Sequence, residues 1–188
     1  MKLTTPLGRD IDLTSICDSF SKAEISKDKL IEEISRGLAN TLRFSGQLGG
    51  LTVAQHSLSV ARIARVRRQS KQQELINLLH DASEGYLGDI PTPLKRLLPD
   101  YQKLEAEVMG VIHIRLLGRH PFYSELERLH AADRTAFERE VTAFSEFPFP
   151  CYGMTRGVRL SADPTERCLW TRAQAYTRFL ENLVEATR

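Results

Sequence analysis

At 188 residues, 41% hydrophobic and 27% charged, the chain has the makeup of one globular domain, long enough to bury roughly 70% of its unfolded surface without disulfides. Its 26 Lys and Arg against 24 Asp and Glu leave a formal charge of +2, which argues against a nucleic-acid polymer as partner. No stretch nears the ~18 apolar residues of a membrane span, and Cys17, Cys151 and Cys168 are odd in number without metal-type spacing, so a soluble, cytoplasmic protein with free thiols is expected.

Residues 1–25, with Pro6 and Gly8 and few periodic apolar positions, read as an extended arm or short hairpin laid on the domain. Leu30, Ile31, Ile34 and Leu38 predict a helix over 28–40, and Gly46, Gly49 and Gly50 a loop over 43–51. Thr52-x-x-Gln55 is a capping box that starts a helix at Val53 running to about Gln69, with Val53, His56, Val60 and Ile63 on its inner stripe. On its outer side Arg62, Arg65, Arg67 and Arg68 read as a solvated face. Ile76, Leu79, His80, Ser83 and Leu87 form the inner stripe of a helix over roughly 71–86, which Gly85, Gly88, Pro91 and Pro93 end in a tight loop.

Tyr101, Leu104, Val108, Val111 and Ile112 mark a further helix that Gly118 stops. Leu126, Leu129, Asp133, Phe137 and Glu140 share one face of a helix over 124–145. A loop over 148–162 follows, and Asp163-Pro164-x-Glu166 is read as the start of a last helix over 163–186, with Leu169, Ala173, Tyr176 and Leu180 on its apolar side. The expected architecture is an all-α single domain over 1–188, a helical bundle of about six or more helices.

Three of these inner stripes carry a residue foreign to a hydrocarbon interior: His56, His80 and Asp133. A buried carboxylate costs several kcal/mol unless it meets a cation. One divalent ion would satisfy all three, and Asp81, next to His80, could reach the same ion. Taken singly, each is more often a hydrogen-bonded core histidine, or an aspartate paired with arginine, than a metal ligand. Two imidazoles and two carboxylates suit Mn, Co, Fe, Ni or Zn, and spacing does not choose among them.

The order His56, adjacent His80-Asp81, then distant Asp133 resembles the HD superfamily of metal-dependent phosphohydrolases. The resemblance runs from about Leu38 to Glu140. Arg43-Phe44-Ser45-Gly46, Val53-Ala54-Gln55-His56-Ser57 and the run from Leu79-His80-Asp81-Ala82-Ser83-Glu84 through Gly88-Asp89-Ile90-Pro91 to Pro93 and Lys95 are similar to a bacterial and phage branch. That branch holds 5'-deoxynucleotidases, prophage HD hydrolases and phage deoxynucleoside-triphosphate hydrolases.

The resemblance implies one divalent metal on His56, His80, Asp81 and Asp133. It implies that Glu84 orients the attacking water, that Asp89 lies on the sugar and leaving-group side, and that Arg43 and Lys95 meet the phosphate. Glu84 falls four residues after His80, on one face of the helix expected there. Phe44 stands where the deoxynucleotidases carry a tryptophan that helps select the sugar. His113, His120 and His130 match no ligand position and read as surface or packing residues, and Trp170 and Tyr176 as core. The expected activity is hydrolysis of (deoxy)nucleoside 5'-monophosphates, with a deoxynucleoside triphosphate triphosphohydrolase and a non-catalytic nucleotide- or protein-binding scaffold as alternatives. Expected partners are a small-molecule nucleotide and a second copy of the chain in a homodimer, with no membrane.

Overall fold

The computed structural model describes residues 1–21, 24–47, 49–144 and 168–188. It is mostly helical, as the periodicities predict. The elements are a hairpin of β1 (Lys2–Thr4) and β2 (Asp10–Asp12), then α1 (Ile16–Ser19), α2 (Lys27–Asn40), a 3-10 turn (Arg43–Gly46), α3 (Val53–Val66), α4 (Lys71–Leu79), α5 (Glu84–Leu87), α6 (Thr92–Lys95), α7 (Pro99–Leu116), α8 (Tyr123–Phe144) and α9 (Arg172–Ala186). Among the described residues no helix is long and apolar enough to cross a membrane.

Helix α3 is the centre of the bundle, packed by α2, α4, α8 and α9. It can be enclosed on so many sides because Ala54, Ser57, Ala61 and Ala64 are small and buried, which lets neighbouring backbones approach. Leu30, Ile34, Leu38, Leu78, Leu79, Phe179 and Leu183 fill the main core. Val60, Ile63, Ile76, Leu129, Ala132 and Ala136 form a second one between α3, α4 and α8. The buried Asn77 side chain donates to the Val60 carbonyl at 3.1 Å and accepts from Gln73 at 2.9 Å, fixing α4 against α3 where the apolar contacts alone would let them slide.

The N-terminal arm is the expected hairpin, in the register Lys2↔Asp12, Leu3↔Ile11, Thr4↔Asp10. It is anchored by charge: Arg9 pairs with the buried Glu33 of α2 through Nε at 3.1 Å and Nη2 at 2.8 Å. Glu33 also accepts from Thr5 at 2.7 Å and Tyr86 at 3.3 Å, so its carboxylate is fully used and its burial is compensated. Phe20 packs edge-on against Tyr86, so the arm supports α5 from behind.

Helix α5 lies very close to α2. A Cβ on Gly37 would sit 2.4 Å from the Gly85 carbonyl oxygen, so the contact requires hydrogen at that position. Gly37→Ala is expected to destabilise the fold by roughly 1–3 kcal/mol, because the obstacle is backbone and cannot rotate away. Urea unfolding measures this; an unchanged midpoint would mean that α5 is free to move off α2.

Two expected helices are bounded differently. The segment 71–86 is not one helix: α4 ends at Leu79, and the chain passes through Ala82 N–H to Leu79 O, Glu84 N–H to Asp81 O and Gly85 N–H to Ala82 O bonds before α5. The cause is local. The His80 ring donates from Nδ1 to the Asn77 carbonyl at 2.8 Å, the acceptor that Asp81 N–H would use in a continued helix. Helix α9 begins at Arg172, behind a capping box of Thr171 and Gln174, and 168–171 are not helical. The loop over 148–162 and the Asp163–Glu166 start lie outside the described residues, as does Cys151; Cys17 and Cys168 are free and exposed.

Candidate metal centre and substrate cavity

His56 is fully buried on the first turn of α3, which starts where Thr52 Oγ1 accepts the Gln55 N–H at 3.2 Å. The other half of the expected capping box is absent, since Gln55 turns its amide to Cys168 O at 2.8 Å and Trp170 N at 3.1 Å. His80 caps α4 and Asp81 follows it. Their side chains converge on His56: the two imidazole Nε2 atoms are 3.2 Å apart, and Asp81 Oδ2 is 2.9 Å from His80 Nε2 and 3.8 Å from His56 Nε2. Asp133 of α8 brings a carboxylate oxygen to 3.1 Å from His56 Nε2. His56, His80 and Asp81 thus bring three ligand atoms within 4.8 Å of one another, from α3 and the α4–α5 turn, while Asp133 on α8 joins them through its approach to His56.

Asp133 is not on a core-facing position. Its side chain is 42% exposed and stands at the rim of a cavity, one residue along from the buried Ala132. Glu84 also departs from expectation: it lies on α5, beyond the break at His80, and not on a continuous helix with that residue.

The donor set fits a divalent cation. The Asn77 carbonyl only accepts, so the proton of a neutral His80 sits on Nδ1 and the Nε2 lone pair is turned inward. His56 Nδ1 faces Glu140 Oε1 at 2.7 Å, which fixes that ring in the same sense. Two such nitrogens at 3.2 Å, with two carboxylate oxygens beside them, need a positive charge between them. Without a metal a proton provides it. Burial and the nearby Arg43 lower the His56 pKa, but Glu140 and Asp133 outweigh both and carry it up to about 9. Burial works against ionised Asp81, yet His80, His56 and Arg43 hold that carboxyl well below the usual range.

The centre opens into a cavity of about 610 Å³. Arg43 lies at its inner end, with Nη1 3.4 Å from Asp81 and Nε 3.4 Å from Glu140, and its guanidinium stacks over Phe44. Glu84 is buried on the cavity wall, and its Oε2 has no hydrogen-bond partner among the described residues. Burial first, and then the Asp81 and Asp89 charges, raise its pKa to about 9 against the pull of Lys95 and Arg43. Lys95 Nζ sits 2.7 Å from Glu105 and 3.5 Å from Glu84, so it holds the α6–α7 corner as well as facing the cavity.

Asp89 has a use that its sequence position does not reveal. Phe44 and Ser45 both adopt the left-handed region, at φ 53°, which costs of order 1–3 kcal/mol for residues of this kind. Asp89 Oδ2 accepts the Phe44 N–H at 2.7 Å and secures that conformation, which sets the Phe44 ring 5.8 Å from Phe137 on the cavity wall. Phe137 and Glu140 belong to this site although neither was among the expected site residues. Both share the Asp133 face of α8, at four and seven residues' distance, so the stripe was visible but its partners were not.

No protein-family model matches the chain. It is 44% identical over 96 residues to the uncharacterized protein YfdR of Escherichia coli, a match that takes in 50% of this chain and spans about half (51%) of that relative. It is 33% identical over 159 residues to the uncharacterized protein RCAP_rcc00048 of Rhodobacter capsulatus, covering 75% of this chain and 81% of that relative. A third of the residues identical over four fifths of the relative is family-level similarity: this chain belongs to the same family as RCAP_rcc00048.

Proposed function

We propose that this protein is a metal-dependent phosphohydrolase of the HD type acting on nucleotides, with (deoxy)nucleoside 5'-monophosphates as substrate and nucleoside and phosphate as products. One observation supports it most: two inward imidazole nitrogens and the Asp81 carboxylate converge, with Asp133 beside His56, next to a cavity that also holds guanidinium, ammonium and aromatic groups. A carboxylate–imidazole centre alone would fit many metalloproteins. Its combination with cations and rings suits a ligand with both phosphate and a flat base.

In this reading His56, His80, Asp81 and Asp133 would hold the metal, with Glu140 and the Asn77 carbonyl keeping the two rings turned toward it. The metal supplies Lewis acidity, lowering the pKa of water and offsetting charge at phosphorus. Arg43 is stiffened by Asp81, Glu140 and Phe44, so it meets the phosphate oxygens with little ordering cost. Glu84, with one carboxyl oxygen unbonded among the described residues, orients the attacking water and takes its proton in the metal-loaded protein, where the ion's charge would draw its pKa down from about 9. Phe44 and Phe137 offer a surface on which the base stacks.

A second reading has a specific observation behind it. Arg96 and Arg134 also line the cavity, and neither is in an ion pair among the described residues, which provides charge for a longer phosphate chain. Incubating the Mn- or Co-loaded protein with mixed nucleoside mono-, di- and triphosphates separates the cases. Release of inorganic phosphate from monophosphates is the expected result, whereas release of inorganic triphosphate would establish the triphosphohydrolase. A metal-loaded protein inert to the whole panel would overturn both and leave a nucleotide-binding scaffold.

A further inference from the structure

The Lys95 head group stands between two carboxylates, and only one of them lines the cavity. Its Nζ is 2.7 Å from Glu105 Oε1 on α7, a hydrogen bond, and 3.5 Å from Glu84 Oε1 on the cavity wall, an ion-pair contact without one. We propose that Glu105, outside the cavity, is a positioning residue of the site: it holds the Lys95 ammonium at the wall to meet a phosphate oxygen and keeps it from closing onto Glu84. This rests on the phosphohydrolase reading, in which the cavity's cations receive the phosphate.

A lysine head is a compact charge on a flexible four-carbon stem, so it settles on whichever anion is free to take it. The backbone beneath Lys95 supplies little restraint. Helix α6 is four residues long, and 92–94 and 96–100 on either side of Lys95 are exposed. The restraint comes from α7. Gln102 Nε2 donates to the Lys95 carbonyl at 2.8 Å, the Tyr101 hydroxyl donates to the Gly88 carbonyl at 2.8 Å, and the Lys95 ammonium lies 5.8 Å from the centre of the Tyr101 ring. Tyr101 and Glu105 are four residues apart, so one face of an 18-residue helix presents both the ring and the carboxylate to Lys95. An ammonium has three donor hydrogens; Glu105 takes one, which leaves others for a ligand on the cavity side. With Glu105 gone, Glu84 is the carboxylate left in contact with Lys95 among the described residues, and Glu84 Oε2 has no hydrogen-bond partner among them. Closing onto Glu84 would withdraw the cation from the phosphate and occupy the group that orients the water.

Charge alone gives the opposite sign: removing a carboxylate near an anion site tightens anion binding. A loss of affinity is therefore the mark of positioning. The full chain, loaded with Mn or Co, is titrated with inorganic phosphate in a calorimeter. Saturable binding by the wild type is expected, and Glu105→Gln, close to it in shape, should weaken that binding by about tenfold or more, within the range that a misplaced group costs. Lys95→Met should weaken it as much, and the double variant no further, because Glu105 acts through Lys95. Glu105→Asp, which keeps the charge on a shorter arm, should lie between the wild type and Glu105→Gln. Undiminished or tighter phosphate binding by Glu105→Gln, losses that add in the double variant, or a wild type that binds no phosphate would overturn the proposal. The phosphohydrolase reading fails separately. A wild type inert on every nucleotide, yet showing these losses of phosphate affinity, would lose the reading and keep the role of Glu105; a wild type that releases phosphate, with Glu105→Gln binding it as tightly, would do the reverse.

Discussion

Asp81→Asn is expected to lose bound metal and turnover together. Asp81 is the residue on which the centre closes, within 2.9 Å of His80, 3.8 Å of His56 and 3.4 Å of Arg43. Removing its charge should cost more than the roughly 10–100-fold in affinity that changes outside the ligand set produce. Asparagine is chosen over alanine because it keeps the volume and an oxygen for Arg43, so the fold survives. Metal content after dialysis measures the loss. Heat denaturation provides a second readout: at about 100 times its dissociation constant, a ligand adds ~2.7 kcal/mol, or roughly 5–10 °C for a chain of this size. The wild type should show that rise with Co or Mn, and Asp81→Asn should not. A variant that kept its metal and its rise would remove Asp81 from the ligand set.

The convergence of His56, His80 and Asp133 was legible because helical periodicity marks a polar residue in an apolar stripe, and the hydrocarbon around it makes the anomaly visible. What periodicity cannot show is where a side chain competes with its own helix. The stripe Ile76, Leu79, His80, Ser83, Leu87 continues through the break at His80, and the break depends on one ring nitrogen taking the Asn77 carbonyl. Gln55 shows the same limit: the Thr52 half of its capping box forms, but the amide is drawn away by Cys168 and Trp170, more than a hundred residues distant. Asp133 was placed by its stripe but not by its depth, since Ala132 next to it takes the buried position. Glu140 stands on the expected face of α8, yet its pairing with His56 exists only through the approach of α8 to α3.

Glu84 separates metal binding from catalysis. Its carboxylate is buried on the cavity wall, 3.5 Å from Lys95, and one oxygen is unbonded among the described residues. In the metal-loaded protein, where the ion's charge would draw its raised pKa down, it has the capacity to accept a proton without giving up a structural bond. Glu84→Gln preserves the shape and the Lys95 contact through the amide oxygen, but cannot take a proton. Metal content and nucleotide affinity should match the wild type, while turnover drops by roughly 10²-fold or more, the scale on which enzymes depend on a general base. Single-turnover phosphate release from a monophosphate, with the metal quantified in the same sample, gives both readings. If turnover stayed near normal with metal bound, the base would have to be another carboxylate. Asp89 is a poor replacement, because its Oδ2 is occupied by the Phe44 N–H at 2.7 Å. Asp89→Ala, which removes the acceptor altogether, should instead release the strained Phe44 turn and raise KM more than it lowers kcat, since the aromatic wall is lost and the proton acceptor is not.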